Sequence, residues 1–557
     1  MRKIVLIFPK ENIISENDVF HEKQKVNKNN MRIIHNNNFE VFREPLGIES
    51  IAASFRKKGY DVKIFFCDLE EISDDEIVGY IVENGIKYVG ISVLFDRHLE
   101  HALILGKKIK KNDNYIFFGG PFASFASYEI LTYCSKWLDG IIVGEGETVN
   151  VKIADAIYSG NDFHYIKGLY YIDIEGKFVQ NPHEKKIDLD VLERPERDFI
   201  RRAIELGYRP HMASIYTSRG CAQQCTFCTG TAFQFFNEGS LWRYRSAIKV
   251  VNEIEKLIQE FNIRYFYICD DNFYGYGDAG EQRILDILKL IKERGIKARF
   301  HFEMRVDRIS EEVMLKLKEC GFVDVLLGIE SGVQSMLDRW KKGVTVQQNI
   351  DAVNMVRKCG LNLKPGFILF DGDTNLDELR ENIKFIREMK LYEGNSILDL
   401  MNPMQIFNGS AIKKEKIGFI KNIDVNLSEK AFTRSITHYE YEIVDARVKI
   451  FWDSIKGKID EISEMFNGDM IAAIYANWNK SDKKEVLSFV KNYKKVKKEL
   501  PIIVLDLCDY IFKVIDSGEI ERMDELVEYR YNSLISKFHF DDVKRILNLA
   551  LNEEKFH

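Results

Sequence analysis

Cys221, Cys225 and Cys228 stand in the run Ser-Arg-Gly-Cys-Ala-Gln-Gln-Cys-Thr-Phe-Cys-Thr-Gly, a C-x3-C-x2-C spacing with the aromatic Phe227 just before the last thiol. Three thiolates on one short loop can each hold one iron of a 4Fe–4S cube. The fourth iron then has no protein ligand and stays open to a small molecule. A cluster that only carries electrons takes a fourth thiolate, and none lies nearby in sequence. The spacing points to a cluster that does chemistry. The alternative is a chance triplet or part of a zinc site. Structural zinc takes four closed ligands, and no further C-x2-C or H-x3-H partner is visible.

A second stretch with chemical content is Phe300-His301-Phe302-Glu303-Met304-Arg305. As a strand, it puts Phe300, Phe302 and Met304 on one face and His301, Glu303 and Arg305 on the other. A sheet wrapped by helices is apolar on its outer face, so the polar set points inward. Charges there need partners, because burying one alone is very unfavourable. A zwitterionic ligand could supply them, and a mutual His–Glu–Arg network is the alternative. Further on, Cys269-Asp270-Asp271-Asn272 ends one strand pattern and Leu327-Gly328-Ile329-Glu330-Ser331-Gly332 ends another.

The elements that must position these residues alternate strand and helix. Short apolar strands at Ile4–Phe8, Asp61–Phe66, Tyr88–Phe95, Tyr115–Phe118 and Gly140–Val143 are separated by amphipathic stretches, including Ile48–Lys58 closed by Gly59. This pattern predicts a parallel, doubly wound sheet over 1–165, with ligands at the carboxyl ends of its strands. Residues 166–210 read as a connector with a small hairpin turning at Glu175-Gly176. From 211 to 418, strands at Ala213–Thr217, Tyr265–Cys269, Ala298–Met304, Val325–Ile329, Lys364–Phe370 and Ile397–Met401 predict a partial, six-stranded (β/α) barrel of the TIM type. The cysteine loop follows its first strand, at the end where such barrels place catalytic groups. Residues 419–557 read as a helical C-terminal domain, with helices at Val444–Ile459, Lys483–Lys498, Ile520–Ser536 and Asp541–Asn552. The lysines at 491, 494, 495, 497 and 498 read as a solvated face or an acidic-partner patch. The Asn-rich insertion 10–44 is too long for an ordinary loop and reads as a lid or an excursion.

The cysteine loop resembles the signature of the radical S-adenosylmethionine enzymes. Residues 1–165 resemble the cobalamin-binding domain that precedes many of them. The matching pieces are Pro45-Leu46-Gly47-Ile48, Gly59-Tyr60-Asp61-Val62, Val89-Gly90-Ile91-Ser92, Phe118-Gly119-Gly120-Pro121 and Gly144-Glu145-Gly146-Glu147, in the family's order. The D-x-H-x-x-G motif that supplies a cobalt-ligating histidine elsewhere is missing. Asp96-Arg97-His98 lies after the wrong strand and lacks the glycine. The resemblance implies an α/β chain with a Rossmann-like cobalamin domain, a radical barrel and three cofactors: a 4Fe–4S cluster, S-adenosylmethionine and cobalamin. It implies cluster ligation by Cys221, Cys225 and Cys228. It assigns S-adenosylmethionine contacts to Phe227 against adenine, Asp270 and Asp271 at the amine, and Glu330 or Ser331 at the ribose or amino acid moiety. The inward Arg305 joins that set. Cobalamin contacts fall on Ser92, Gly119, Gly120, Gly144 and Glu145.

The activity so implied is C-methylation of an unactivated carbon through a 5′-deoxyadenosyl radical and methylcobalamin. Hydrogen-atom removal needs no side-chain base, so no catalytic residue beyond the cluster ligands is singled out. A rearrangement, cyclisation or deoxygenation with the same cofactors stays open, as does a non-catalytic cofactor-binding sensor. A methylthio-transferase would need three more cluster cysteines in the first domain, where only Cys67 and Cys134 stand.

Composition sets the boundaries. The 557 residues are 45% apolar and carry a net charge of −6, so no global field favours nucleic acid. No uncharged apolar run reaches the ~18 residues of a membrane span. The first residues, Met-Arg-Lys-Ile-Val-Leu-Ile-Phe-Pro, read as a strand, too short for a signal peptide's apolar core. The nine cysteines are few and scattered. Cys67, Cys134, Cys269, Cys320, Cys359 and Cys508 fit core positions better than bridges. The expectation is a cytoplasmic enzyme acting on a small molecule or peptide, with an external donor such as flavodoxin or ferredoxin.

Overall fold

The computed structural model describes residues 2–11, 44–110, 113–418, 422–439, 441–465 and 483–537. The bulk of the proposed lid, the helix expected at 541–552 and the side chains of Lys491 and Lys494 lie outside the described residues. Lys495, Lys497 and Lys498 are exposed, as a solvated face requires.

The first sheet is built from β1 (Lys3–Phe8), β2 (Asp61–Phe66), β3 (Tyr88–Ser92), β4 (Tyr115–Gly119) and β5 (Gly140–Ile142), all parallel, in the order β2-β1-β3-β4-β5. Both faces are covered, so the strands are near-continuous apolar runs. Ile4 to Ile7 and Ile116 to Phe118 are almost fully buried. Helix α1 (Leu46–Lys57) ends at the left-handed Gly59, and α2 (Asp74–Glu83) starts with a Ser73–Glu76 capping box. Helix α3 (Leu99–Ile109) leads into β4, and α4 (Glu147–Ser159) follows β5. The strand order reverses direction between β1 and β3, which opens a crevice at their carboxyl ends. The hairpin β6 (Leu169–Ile172) and β7 (Phe178–Gln180) turns at Gly176 as expected. It does not stand apart as a connector: β6 pairs antiparallel with β5 and extends the sheet to seven strands.

The second sheet holds β8 (Met212–Ile215), β9 (Tyr265–Ile268), β10 (Arg299–Arg305), β11 (Phe322–Glu330) and β12 (Asn362–Phe367), parallel and in sequence order. Helices α5 (Ala247–Phe261), α6 (Gly277–Glu293), α7 (Glu311–Glu319), α8 (Val346–Lys358) and α9 (Leu376–Glu388) follow its strands. Five strands are present among the described residues, where six were expected. Ile397–Met401 is a 3-10 turn at Leu398–Leu400. The sixth position is taken by the extended piece that follows. Leu369 N–H donates to Asn402 O at 2.9 Å and Met404 N–H to Phe370 O at 2.8 Å. Pro403 between them has no N–H to continue a ladder.

The C-terminal region is helical, in two parts. A short α10 (Glu429–Thr437) packs on α3 of the first domain, with Phe432 stacked on Tyr133 at 3.9 Å. The helices α11 (Ala446–Met465), α12 (Lys483–Ser517) and α13 (Met523–Lys537) share one apolar core with the barrel, through Val448, Phe451, Ile503 and Ile511.

A buried polar cluster joins the two sheets. Arg197, at a left-handed φ of 64°, donates to Glu44 at 2.8 Å, to Ser214 O at 2.7 Å and to Glu253 of α5. Glu253 also meets Arg245 at 2.6 Å. Glu44 hydrogen-bonds the side chain of Glu49, and Glu49 accepts from Phe199 N–H at 2.8 Å. Arg197→Ala strands the buried Glu44 without its cation and leaves Glu253 with Arg245 alone. The expected loss is about 3–5 kcal/mol, seen as a lower first transition in a thermal melt. Burial, reinforced by Glu44, pushes the Glu49 carboxyl well above its ordinary 4.5. The folded chain therefore holds a proton that the unfolded chain releases. That stabilisation is complete below the unfolded value and is lost as pH rises through the folded one. Glu49→Gln should flatten this alkaline loss in a plot of melting midpoint against pH.

Candidate active site

The cysteine loop leaves β8 at the carboxyl end of the second sheet and is tied at several backbone points. Thr226 N–H donates to Trp340 O at 2.9 Å, and Thr226 O accepts from Ile412 N–H at 3.0 Å. Trp340 is fully buried, and its Nε1–H donates to Asp371 at 2.6 Å. Asp371 also receives a two-pronged bond from Arg339, both arms at 3.0 Å. Burial alone would raise this carboxyl, but Arg339, Thr374 and Trp340 hold it below the usual range. The loop after β12 thus fixes Trp340, and Trp340 fixes the backbone between Cys225 and Phe227.

Each of the three thiols meets one hydrogen-bonding group. Tyr276 Oη lies 2.8 Å from Cys221 Sγ. Arg305 Nη1 donates to Cys225 Sγ at 3.8 Å, and Gly230 N–H donates to Cys228 Sγ at 3.4 Å. Burial pushes up the thiols of Cys225 and Cys228, the latter to about 11, while Lys342 and Arg305 pull Cys225 back. Such thiols give up their protons when a cation binds. This all-sulfur donor set, with cationic and N–H groups aimed at it, fits an iron–sulfur cube whose sulfurs accept hydrogen bonds.

The inward row of β10 is polar, as its alternation predicts. Phe300 and Phe302 are fully buried outward, while His301 stacks on Tyr267 at 4.8 Å and Tyr267 Oη–H donates to Glu303. Arg305 is braced by Asp307 at 2.9 Å and by Lys342 O at 2.8 Å. At the end of β11, Glu330 adopts φ 63° inside a tight turn closed by Ser331 N–H to Ile329 O at 2.8 Å. A non-glycine residue there is strained. The kink aims its carboxylate at the buried Lys342, 2.8 Å away. Gly328 leaves the room, since a Cβ would overlap both groups.

Asp271 is exposed beside Gly230 and accepts from Gly220 N–H at 3.0 Å; desolvation by the protein around it pushes its carboxyl up to about 6. Asp270 is not exposed with it. It is 1% exposed and accepts from Thr217 N–H at 2.6 Å and Ser218 Oγ–H at 2.7 Å, so it shapes the end of β8. Ser331 likewise turns away from the lumen: fully buried, its hydroxyl meets Asn382 at 2.9 Å. The turn at Glu330 reverses the alternation there. Phe227, edge-on to Trp340, lines a cavity of about 310 Å³ with Phe367, Ile368, Met404 and Gln405. A larger cavity of about 470 Å³, lined by Lys57, Arg245 and Lys249, shares no residue with the cysteine loop. Cys67, Cys134, Cys359 and Cys508 are buried as expected, whereas Cys269 is exposed.

In the first sheet, Ser92 and Gly119 lie side by side at the ends of β3 and β4. Gly120 follows at φ 101°, where a Cβ would strike Val93 O. Small, partly exposed residues at these strand ends let a large flat ligand approach the backbone, which fits a corrin. His98 is enclosed between Phe8 and Phe95, and its Nδ1 accepts from Phe95 N–H at 3.2 Å. Gly144 and Glu145 meet the second domain. A Cβ on Gly144 would overlap Asn237 and Phe236. Glu145 N–H donates to Asn237 at 2.8 Å, and its carboxylate pairs with Arg243 and with Arg219. Glu147 holds Arg219 at 2.7 Å, two residues before Cys221.

Sequence alone assigned no role to Tyr276, Lys342 or Asp371. A Gly-Tyr-Gly run marks the first; the others become visible only when distant loops meet. Asp371→Ala leaves Trp340 Nε1 and Arg339 without their shared acceptor. The expected destabilisation is about 2–4 kcal/mol, measurable as a fall in melting midpoint in protein free of iron.

Residues 215–386 match the Radical SAM superfamily, and residues 34–154 match the B12 binding domain. An uncharacterised methyltransferase of Pyrococcus horikoshii is 30% identical over 351 residues, 62% of this chain and 74% of that protein. The hopanoid C-3 methylase of Methylococcus capsulatus is 27% identical over 354 residues, 62% of this chain and 64% of that protein. The chain therefore spans just under two thirds of the second relative. The fold matches that of the cobalamin-dependent S-adenosylmethionine radical enzyme OxsB, solved with aqua-cobalamin bound, with a TM-score of 0.73 at 19% identity. That likeness covers 100% of this chain and 82% of the other. With the three-thiol loop and the small residues at the first sheet's strand ends on one molecule, the chain belongs to the cobalamin-dependent radical S-adenosylmethionine enzymes, whose cofactors are a 4Fe–4S cluster, S-adenosylmethionine and cobalamin.

Proposed function

We propose that this enzyme methylates an unactivated carbon of a peptide or a biosynthetic intermediate. The observation that carries the reading is the clamp between the two strand-end surfaces. Glu145 and Glu147 grip Arg219 beside the cysteine loop, so the crevice of the first sheet is held next to the thiols of the second. When bound, the cluster with S-adenosylmethionine would supply a hydrogen-abstracting radical, and cobalamin would supply the methyl group.

The chain's own residues bind, orient and shield. Phe227, Phe367 and Ile368 form an apolar wall suited to adenine. Asp271 offers a carboxylate to a cationic amine. Glu330, held by Lys342, is suited to ribose hydroxyls. Cobalamin would rest on Ser92, Gly119 and Gly120, with Gly144 and Glu145 contacting it at the edge that faces the barrel. The polar row of Tyr267, His301 and Glu303 suits a substrate with polar groups on at least one side. We propose flavodoxin or ferredoxin as the external reductant and the cytoplasm, where thiols stay reduced, as the compartment. No described helix is long and apolar enough to cross a membrane.

The test is anaerobic reconstitution with cluster, cobalamin and methyl-labelled S-adenosylmethionine, against candidate peptides and metabolites. The expected product carries the label and one added methyl mass, with 5′-deoxyadenosine released. Substrate consumed with 5′-deoxyadenosine but no label would replace methylation by a rearrangement or cyclisation. Cys225→Ala should reduce 5′-deoxyadenosine to background.

A further inference from the structure

We propose that Tyr276 is a positioning residue for the cluster: its hydroxyl donates a hydrogen bond to Cys221 Sγ and makes the cluster easier to reduce. The backbone is built to aim this side chain. Gly275 and Gly277, on either side, both adopt left-handed conformations, φ 75° and 59°. A Cβ on Gly275 would run into the Trp242 ring, and Tyr276 meets that ring edge-on at 5.8 Å. The loop after β9 therefore packs on Trp242 and delivers the phenol to the first cysteine.

The direction of the bond follows from counting protons. Tyr276 Oη lies 2.8 Å from Cys221 Sγ and 2.7 Å from Ala222 N. The Ala222 amide can only donate, so it fills one lone pair of the phenol oxygen. The Asn272 side chain reaches the same oxygen. A thiolate bound to iron has no proton to give. The single phenol proton must then point at sulfur. Hydrogen bonds to cluster sulfurs stabilise the extra negative charge of the reduced state and set the potential. The donors on the other two sulfurs are longer, at 3.8 Å and 3.4 Å. Cys221 carries the closest of the three, from a phenol whose oxygen also accepts from the Ala222 amide.

The inference rests on Cys221 being a cluster ligand, and the experiment separates the two. Wild type and Tyr276→Phe are reconstituted anaerobically as full chains, and iron and sulfide per chain are measured first. Cys221→Ala losing no iron would remove the ligand reading itself. At equal cluster content, the one-electron midpoint is then followed by electron paramagnetic resonance. Loss of one hydrogen bond to a charged acceptor should shift the reduction equilibrium about tenfold, which is about 59 mV more negative for a one-electron couple. An unchanged midpoint at equal iron content overturns the proposal, because a purely structural tyrosine would leave the potential where it is. If Tyr276→Phe fails to take up iron, the wild-type protein decides. A deuterium-sensitive Fe–Sγ stretch in its resonance Raman spectrum, absent from a Tyr276→Leu variant that does load, supports the bond. A spectrum indifferent to deuterium overturns it.

Discussion

A cube with four irons held by three thiolates is incomplete by one ligand, and if Cys221, Cys225 and Cys228 hold it as proposed, the scaffold around them would keep that vacancy useful. A loop that drifted would bring a fourth protein ligand or bulk water to the open corner. The loop does not depend on its own contacts for its shape. Its backbone is bonded to Trp340 and Ile412, and Trp340 is fixed in turn by a buried carboxylate that Arg339 keeps ionised. The sulfurs are met by a phenol, a guanidinium and a backbone amide, so each thiolate created on iron binding finds a donor in place. Preorganised donors stabilise charge at a lower cost than groups that must first turn toward it.

The second constraint is distance between two cofactor surfaces. Each sheet opens at the carboxyl ends of its strands, and the two openings are held together by ion pairs beside the aromatic contacts of Phe125 with Phe233 and Phe236. Arg219 and Arg243 meet Glu145 and Glu147 on one side, and Arg197 is shared by Glu44 and Glu253 on another. Buried ion pairs add little net stability against well-packed apolar groups, but breaking one is expensive. Here they fix a register between domains that apolar surfaces, which slide, would leave loose. Two further contacts complete the joint: Asn408 donates to Ile436 O, and Phe432 stacks on Tyr133 of the first domain.

Much of this was legible in the sequence because it rests on local periodicity or exact spacing. The thiol triplet, the doubly wound first sheet and the inward His301–Glu303–Arg305 row follow from chemistry that neighbouring residues settle. The misses have a common origin in geometry that only the folded chain supplies. Glu330 and Ser331 look equivalent in sequence, yet the positive φ of Glu330 aims its carboxylate at Lys342, while the Ser331 hydroxyl is buried against Asn382. Asp270 and Asp271 are adjacent carboxylates, and the end of β8 takes one for its own hydroxyls and amide. The apolar run Ile397–Met401 looks like a strand, but its ladder position falls to the proline-interrupted piece behind it. The C-terminal helices read as a separate domain because their polar faces dominate the composition, while their apolar stripes finish the barrel's core.

The central claim is that three protein sulfurs leave one iron of the cube different from the rest. Mössbauer spectroscopy of protein loaded with isotopically enriched iron, with and without S-adenosylmethionine, reads that difference directly. The account predicts that the cofactor moves the isomer shift of one iron in four and leaves the other three unchanged. Four irons that respond alike, or none that responds, would contradict it.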